Sequence, residues 1–157
     1  MDDIKRRAIL SPDGMYRYRL DRSWDEGPTV LFVMLNPSTA DGMEDDPTLR
    51  RCIGFAQEWG YGSLMVANLY AFRATDPTEL KTAADPIGPD CSFYLRQCLS
   101  EASLVVAAWG SNAEPDRAAE VLAQLGPDPR ALGWNKDGQP KHPLYLRRDT
   151  LPMPWAP

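Results

Sequence analysis

The sequence has few of the side chains that bind transition metals or form disulfides. Its 157 residues include one histidine, His142, and three cysteines, Cys52, Cys91 and Cys98. An odd number of cysteines at no metal-ligand spacing argues against a zinc site and against a disulfide framework. Two of the cysteines fall within apolar helical patterns, so we predict buried, reduced thiols. No metal or other cofactor is expected, and neither common glycine-rich phosphate loop occurs.

Long apolar runs are also missing. No run is long enough to cross a bilayer, and the first residues, "MDDIKRRAIL", lack the apolar core of a signal peptide. Hydrophobic residues make up 43% and charged residues 25% of the chain, as in soluble globular proteins. A length of 157 residues suits one core, so we expect a single domain over residues 1–157. We also expect a cytoplasmic protein with no membrane partner.

An excess of basic residues is absent, since the formal net charge is -5. This charge disfavours a nonspecific binder of polyanions, whose affinity would come mainly from neutralising phosphates. The charges are nevertheless segregated, because "PKHPLYLRR" holds Lys141, Arg147 and Arg148 whereas "ADGMEDD" is acidic. These segments are either two solvated loops or a local basic face and an acidic one.

Buried strands alternate with capped helices along the chain. The segment "AILSPDGMYRYRLDRSW" has two runs around a Ser-Pro-Asp-Gly turn and predicts a β-hairpin at the sheet edge. Three later runs are apolar, as in strands covered on both faces: "TVLFVML", "SLMVANLYAF" and "SLVVAAW". Helices are predicted from Asp46-Pro47 to Gly60, over "PDCSFYLRQCLSEA" and over "EPDRAAEVLAQLG". The pattern predicts an α/β fold, a three-layer sandwich with a mostly parallel central sheet and an N-terminal β-hairpin.

Polar side chains follow each of the three apolar strands. In a parallel sheet the carboxyl ends of the strands meet at one edge, where ligands bind. The residues at these ends are Asn36, Ser38, Thr39, Asp41, Asn68, Arg73, Trp109, Ser111 and Asn112. The loop that holds His142 could reach the same rim. Turn capping by Asn36, backbone bracing by Asn68 and packing of His142 are the structural alternatives.

Asn68 and the arginines differ in how strongly they indicate a ligand. Asn68 ends an apolar strand, where its amide must find partners or be costly to bury, and it can read both donor and acceptor edges of a base. Arg50 and Arg51 lie on a predicted helix and are expected to pair with nearby carboxylates. Arg73 follows a strand end and is the better ligand candidate. A catalytic triad of Ser38, His142 and Asp41 is disfavoured because Ser38 lacks a nucleophile elbow.

Nearly the whole chain resembles a family of bacterial and phage proteins classed only as a domain of unknown function. The resemblance lies in "LFVMLNPSTAD", "DDPTLRRC", "WGYGSLMVANLYAFRATDP", "VVAAWGSNA" and "KDGQPKHPLYL". The order of these motifs is also similar to the uracil-DNA glycosylase superfamily. That more distant resemblance implies a parallel sheet between helices.

The glycosylase resemblance implies roles for individual residues. Asn36 in "LNPS" matches the residue that holds or activates the water, and Asn68 matches the asparagine that reads the base. The "WGSNA" segment resembles the strand that ends in Trp-Gly, and His142-Pro143 matches the His-Pro motif that stabilises the departing base. Asp41 or Asp45 would supply a carboxylate. The implied activity is hydrolysis of an N-glycosidic bond, with a base in DNA first leaving the stack and a Lys141, Arg147 and Arg148 face holding the backbone.

Two motifs depart from the glycosylase pattern. Leu35 replaces the glycine before Asn36, and "HPLY" replaces His-Pro-Ser-Pro. The ligand is therefore left open among a modified base, a free nucleoside or nucleotide, and DNA. Noncatalytic nucleotide binding is the alternative function. A protein-interaction domain using Trp59, Trp155 and the Pro-rich tail is a third hypothesis, although those aromatic residues also suit core packing.

Overall fold

The structure is a computed structural model that describes residues 3–38 and 43–157. Within these residues it has seven strands, three α-helices and one 3-10 helix. The strands are β1 (Lys5–Leu10), β2 (Arg17–Ser23), β3 (Thr29–Met34), β4 (Ser63–Asn68), β5 (Leu104–Ala107), β6 (Arg130–Ala131) and β7 (Met153–Pro154). The α-helices are α1 (Pro47–Glu58), α2 (Cys91–Glu101) and α3 (Pro115–Leu122), and the 3-10 helix spans Pro77–Lys81. None of the described helices is long and apolar enough to span a membrane.

The strands form one mixed sheet in the order β1-β2-β4-β3-β5-β6-β7. The four inner strands, β4, β3, β5 and β6, are parallel, but β1–β2, β2–β4 and β6–β7 pair antiparallel. The prediction of a mostly parallel sheet was therefore wrong. A short turn joins β1 to β2, and such a turn can connect only antiparallel strands. The predicted N-terminal hairpin is confirmed, and it lies at the sheet edge.

Helices cover both faces of the sheet. Along β3, Leu31 and Val33 pack into the cluster that contains residues of α2 and α3. The alternate residues Val30 and Phe32 pack with the buried stripe of α1. This alternation follows from the two-residue repeat of a strand, and it explains why β3 is apolar throughout.

The register of the parallel strands brings their carboxyl ends together. Met34 of β3 lies opposite Asn68 of β4, and Val33 lies opposite Ala107 of β5. The pairing continues beyond the strands, because the Leu69 amide donates to the Met34 carbonyl at 2.9 Å. The residues that follow β3, β4 and β5 consequently share one edge of the sheet.

A buried ion pair ties the N-terminal hairpin to the start of α1. Arg22 of β2 is fully buried, and its Nε donates to Asp45 Oδ1 at 2.8 Å. Arg6 of β1 donates to the other oxygen of Asp45 at 3.2 Å. Burial tends to raise the pKa of the Asp45 carboxyl, but the hydrogen bonds from the two arginines outweigh it and hold this pKa below its ordinary value. Asp45, proposed from the sequence as a possible catalytic carboxylate, is thus part of the scaffold.

Asp45→Ala is expected to lower the free energy of unfolding by about 3 kcal/mol, because it removes the carboxylate beside a buried guanidinium. Urea denaturation of the variant and the wild type measures this difference. Asp149→Ala is the control, since it removes an exposed ion pair with Arg147 and should cost far less. Equal losses for the two variants would contradict a structural role of the buried pair.

Candidate functional site

A cavity of about 580 Å³ lies at the edge where β3, β4 and β5 end. Its polar lining consists of Arg17, Asn36, Ser38, Asp46, Thr48, Asn68, Thr75, Ser111, Asn112, Asn135, Lys141 and His142. Its apolar lining includes Met34, Leu35, Leu49, Cys52, Val66, Trp109, Leu144 and Leu146. A cavity of this size, with apolar walls and several convergent polar groups, is typical of a small-molecule site.

The structure brings most of the sequence-predicted site residues together. Those that line the cavity are Asn36, Ser38, Asn68, Trp109, Ser111, Asn112, Lys141 and His142. Arg73 lies outside this lining and donates to the Gly14 carbonyl at 3.4 Å. Arg147 pairs with Asp149 at the surface, and Arg148 borders a separate groove. Thr39 and Asp41 fall outside the described residues.

Asn68 places a buried side-chain amide in the wall of the cavity. Its side chain is 3% exposed, and neither Nδ2 nor Oδ1 has a hydrogen-bond partner within the described part of the chain. Burial of an unpaired amide costs free energy, so such a group in a cavity wall indicates a ligand that supplies its partners. An amide offers one donor group and one acceptor on the same plane. It therefore suits a ligand edge that carries the complementary pair.

The backbone beneath Asn68 is fixed by a buried cluster. Cys91, at the start of α2, donates from Sγ to the Asn68 carbonyl at 3.5 Å. Arg117 of α3 is 7% exposed, and its Nε donates to the Leu69 carbonyl at 2.9 Å. Arg117 Nη2 also lies 3.7 Å from Cys91 Sγ. Two helices thus hold the backbone at the end of β4. The side-chain amide of Asn68 is not needed to brace this backbone and is available to bind a ligand.

Asn36 is held far more tightly than Asn68. Its Nδ2 donates to the Ala74 carbonyl at 2.6 Å and to the Pro37 carbonyl at 2.9 Å. The bond to Ala74 joins the loop after β3 to the loop after β4. Oδ1 of Asn36 makes no hydrogen bond to any other described residue, so it can accept one from a ligand or water.

His142 lines the cavity, and one of its ring nitrogens is bonded to the backbone. Its Nδ1 accepts a hydrogen bond from the Leu144 amide at 3.2 Å, which places the proton of the neutral ring on Nε2. Burial lowers the pKa of His142 below its ordinary value of 6.5, and the nearby carboxylate of Asp46 offsets only part of this effect. The ring is therefore neutral at pH 7. In that state Nε2 can donate a hydrogen bond to a ligand oxygen.

The segment that carries His142 is fastened to the end of β5. The Gly110 amide donates to the Pro140 carbonyl at 2.9 Å, and the Lys141 amide donates to the Gly133 carbonyl at 2.9 Å. Trp109 Nε1 donates to Gln139 Oε1 at 2.8 Å, so its ring is a fixed wall. These contacts explain how a residue so distant in sequence from β3 and β4 reaches their cavity.

Asp46 and Ser38 form the acidic side of the cavity. Ser38 Oγ donates to Asp46 Oδ2 at 2.8 Å, and the Leu49 amide donates to Asp46 Oδ1 at 2.7 Å. The predicted cap of α1 is confirmed. The same carboxylate also lines the cavity, which places a negative charge near His142.

The polar lining residues that were not predicted from the sequence include Arg17, Asp46 and Asn135. Asp46 was interpreted only as a helix cap, although its position soon after a strand-end loop was a signal for the cavity. Asn135 donates to Ser111 Oγ at 2.9 Å and belongs to the segment that carries His142. Arg17 is 5% exposed and lies on β2, for which the sequence predicted only a hairpin at the sheet edge.

A family model matches residues 17–144, and its description is a protein of unknown function, DUF1643. The chain belongs to this family. The DUF1643 match spans every lining residue of the cavity except Leu146. No curated protein and no solved structure matches the chain. The resemblance to a family of unknown function is confirmed, whereas the likeness to uracil-DNA glycosylases stays a prediction.

Replacement of the two asparagines by leucine is expected to change stability in opposite directions. Asn68→Leu removes an unpaired buried amide and should raise the free energy of unfolding by about 1 kcal/mol. Asn36→Leu removes donors to two carbonyls and should lower it by about 1–2 kcal/mol. Urea denaturation measures both changes. Destabilisation by Asn68→Leu as large as that by Asn36→Leu would show that Asn68 is also a structural brace.

The lowered pKa of His142 predicts a specific loss of stability in acid. The unfolded chain regains the ordinary value of 6.5, so below that pH it binds more protons than the folded chain. The free energy of unfolding should therefore fall as the pH drops through about 6.5 towards the folded pKa. Denaturation at about pH 7.5 and about pH 5.5 should show a smaller fall for His142→Asn than for the wild type. An equal or steeper fall in the variant would contradict the burial of a neutral ring.

Proposed function

We propose that the cavity binds a nucleobase and that the protein hydrolyses the N-glycosidic bond of a nucleoside, a nucleotide or a nucleotide within DNA. The observation that carries this proposal is the unpaired, buried amide of Asn68 in the cavity wall. Every nucleobase has an edge of alternating donors and acceptors, which an amide can pair with in two parallel hydrogen bonds. The likeness of the motifs to uracil-DNA glycosylases gives further support.

The volume and the lining of the cavity suit a flat heterocycle attached to a sugar. Its volume of about 580 Å³ is within the range of sites for small molecules. Met34, Leu35 and Val66 supply apolar surface beside Asn68, and such surface favours the faces of an aromatic ring. Asn68 would thus read the edge of the base while the apolar side chains pack on its faces.

Hydrolysis would break the bond between the sugar carbon and the base nitrogen, with water supplying the new oxygen on that carbon. The electron pair of the broken bond leaves on the base. Nε2 of His142, protonated in the neutral ring, would donate a hydrogen bond to a base oxygen and stabilise this negative charge. Oδ1 of Asn36 would accept a hydrogen bond from the attacking water, whose released proton goes to the departing base or to solvent.

The positive charge that develops on the sugar requires a negative partner. Asp46 is a carboxylate in the lining, and the bonds from Ser38 and the Leu49 amide fix its orientation. It would stabilise the charged sugar by electrostatic attraction. Asp41, predicted from the sequence as a catalytic residue, keeps that proposed role as an alternative carboxylate.

Base binding without cleavage is the second candidate function. The bonds of Asn36 and Asp46 to the protein favour this function. Nδ2 of Asn36 and both oxygens of Asp46 already form hydrogen bonds within the protein, as structural residues do. In this case the cavity holds a base or nucleotide, and no water is activated. The two functions share Asn68 as the reading group and differ only in turnover.

Base release, measured by mass spectrometry, tests the proposal. The wild type is incubated with single- and double-stranded DNA that contains normal and modified bases, and separately with free nucleosides and nucleotides. We expect release of a base, with a loss of about 100-fold or more in His142→Ala and with no release by Asn68→Leu. Gln57→Leu, which replaces an exposed amide on α1, is the matched control and should keep full activity.

Binding of the same ligands distinguishes the two functions. Saturable binding that Asn68→Leu abolishes, with no base released by the wild type, would support binding without cleavage. Unchanged turnover in His142→Ala and Asn36→Ala would overturn the assigned catalytic roles. Unchanged binding by Asn68→Leu would overturn the cavity as the base site.

A further inference from the structure

A second, smaller groove lies beside the outer surface of α1. Its volume is about 230 Å³, and its lining includes Arg50, Arg51 and Arg148 together with Glu58. Three guanidinium groups therefore border this groove with one carboxylate. The groove thus carries an excess of positive charge in a chain whose formal net charge is -5.

None of the three arginines forms an ion pair within the described residues. Arg50 Nη1 donates to the backbone carbonyl of Asp45 at 2.9 Å, not to its carboxylate. The guanidinium carbon of Arg51 lies 5.2 Å from the centre of the Phe55 ring, and its Nε is buried without a partner among the described residues. The prediction that Arg50 and Arg51 pair with nearby carboxylates was wrong. Asp45, the neighbouring carboxylate, binds Arg22 and Arg6 instead.

Guanidinium groups that share a groove repel one another unless an anion lies between them. Their planar forks match the oxygens of a phosphate, which can accept two parallel hydrogen bonds from each arginine. Arg51 is also held in place by its stacking on Phe55, so less side-chain entropy is lost when it binds. The chemistry of the groove thus suits a phosphate group.

The groove and the cavity are neighbours on the same two segments. On α1, Leu49 lines the cavity and Arg50 follows it directly. In the later segment Leu146 lines the cavity and Arg148 lines the groove, and two residues of extended chain span at most about 7 Å. One ligand could therefore contact both sites.

We propose that the groove of Arg50, Arg51 and Arg148 binds a phosphate group of the nucleotide whose base occupies the cavity. This inference deepens the proposed function and rests on it for the identity of the base. The phosphate belongs either to a free nucleotide or to a polynucleotide strand, and both sources present the same oxygens to the arginines.

Binding of a fluorescein-labelled, mixed-sequence single-stranded DNA, followed by fluorescence anisotropy over a range of salt concentrations, tests this site. The variant Arg50→Gln/Arg51→Gln/Arg148→Gln should bind at least about tenfold more weakly than the wild type, and its salt dependence should fall by about 0.7 in log–log slope per phosphate lost. The control Arg7→Gln/Lys81→Gln/Arg96→Gln removes the same charge at exposed positions and should bind nearly as the wild type does.

Competition separates the two sources of phosphate. If mixed deoxynucleoside monophosphates displace the DNA from the wild type better than deoxynucleosides do, and the groove variant loses this preference, the site takes a free nucleotide. If only the strand binds, and the groove variant weakens it, the site takes the backbone. Both outcomes support the phosphate site.

Equal binding by the groove variant and its charge-matched control would overturn the inference, as would an absence of binding by the wild type to both DNA and nucleotides. The variant Asn68→Leu distinguishes this failure from failure of the cavity proposal. Loss of binding in the groove variant with unchanged binding in Asn68→Leu would retain the phosphate site and overturn the base site. The reverse result would retain the base site alone.

Discussion

The parallel pairing of β3 with β4 on one side and β5 on the other is the constraint on which the candidate site depends. It places Met34 opposite Asn68 and Val33 opposite Ala107, so three strands end at one edge of the sheet. The loops there are linked by further bonds, such as that from Asn36 to the Ala74 carbonyl. A one-residue slip of β4 would turn Asn68 to the opposite face of the sheet. The apolar residues that fix this register are therefore as necessary to the site as its polar groups.

Two asparagines at this edge have opposite roles in the energetics of the fold. Asn36 uses its amide donors to brace two loops, and this bonding offsets the cost of its partial burial. Asn68 has no such compensation, yet the backbone that carries it is fixed by Arg117 and Cys91. An unpaired buried amide lowers the stability of the fold, so stability alone does not explain its presence on a rigid backbone. This arrangement is typical of a group that binds a ligand. The packing of the surrounding core offsets the free-energy cost of burying this amide.

The sequence predicted the inner strands β3, β4 and β5 and the convergence of their ends, because apolar periodicity and strand direction determine both. It predicted the antiparallel β1–β2 hairpin, but not the antiparallel pairing of β2 with β4 or of β6 with β7, since pairing partners depend on topology and not on local pattern. For the same reason Arg17 was missed, as β2 lies beside β4 only through the order of the sheet. Arg73 was expected at the cavity, but it turns towards the hairpin at Gly14. The sequence around Asp46 predicted a helix cap, and this role alone explained the residue. Its position in the cavity wall was therefore not predicted.

The distribution of carboxylates explains how an acidic chain retains a basic groove. Arg19 bonds Asp21 and Glu101, and Arg22 bonds Asp45, so the carboxylates closest to the sheet are already in use. Arg50 and Arg51 lie on α1, and Asp45 offers Arg50 only its backbone carbonyl. At physiological salt, charges more than about 8 Å apart are largely screened. A phosphate in the groove therefore interacts mainly with the adjacent guanidinium groups, and the net charge of -5 opposes it only weakly.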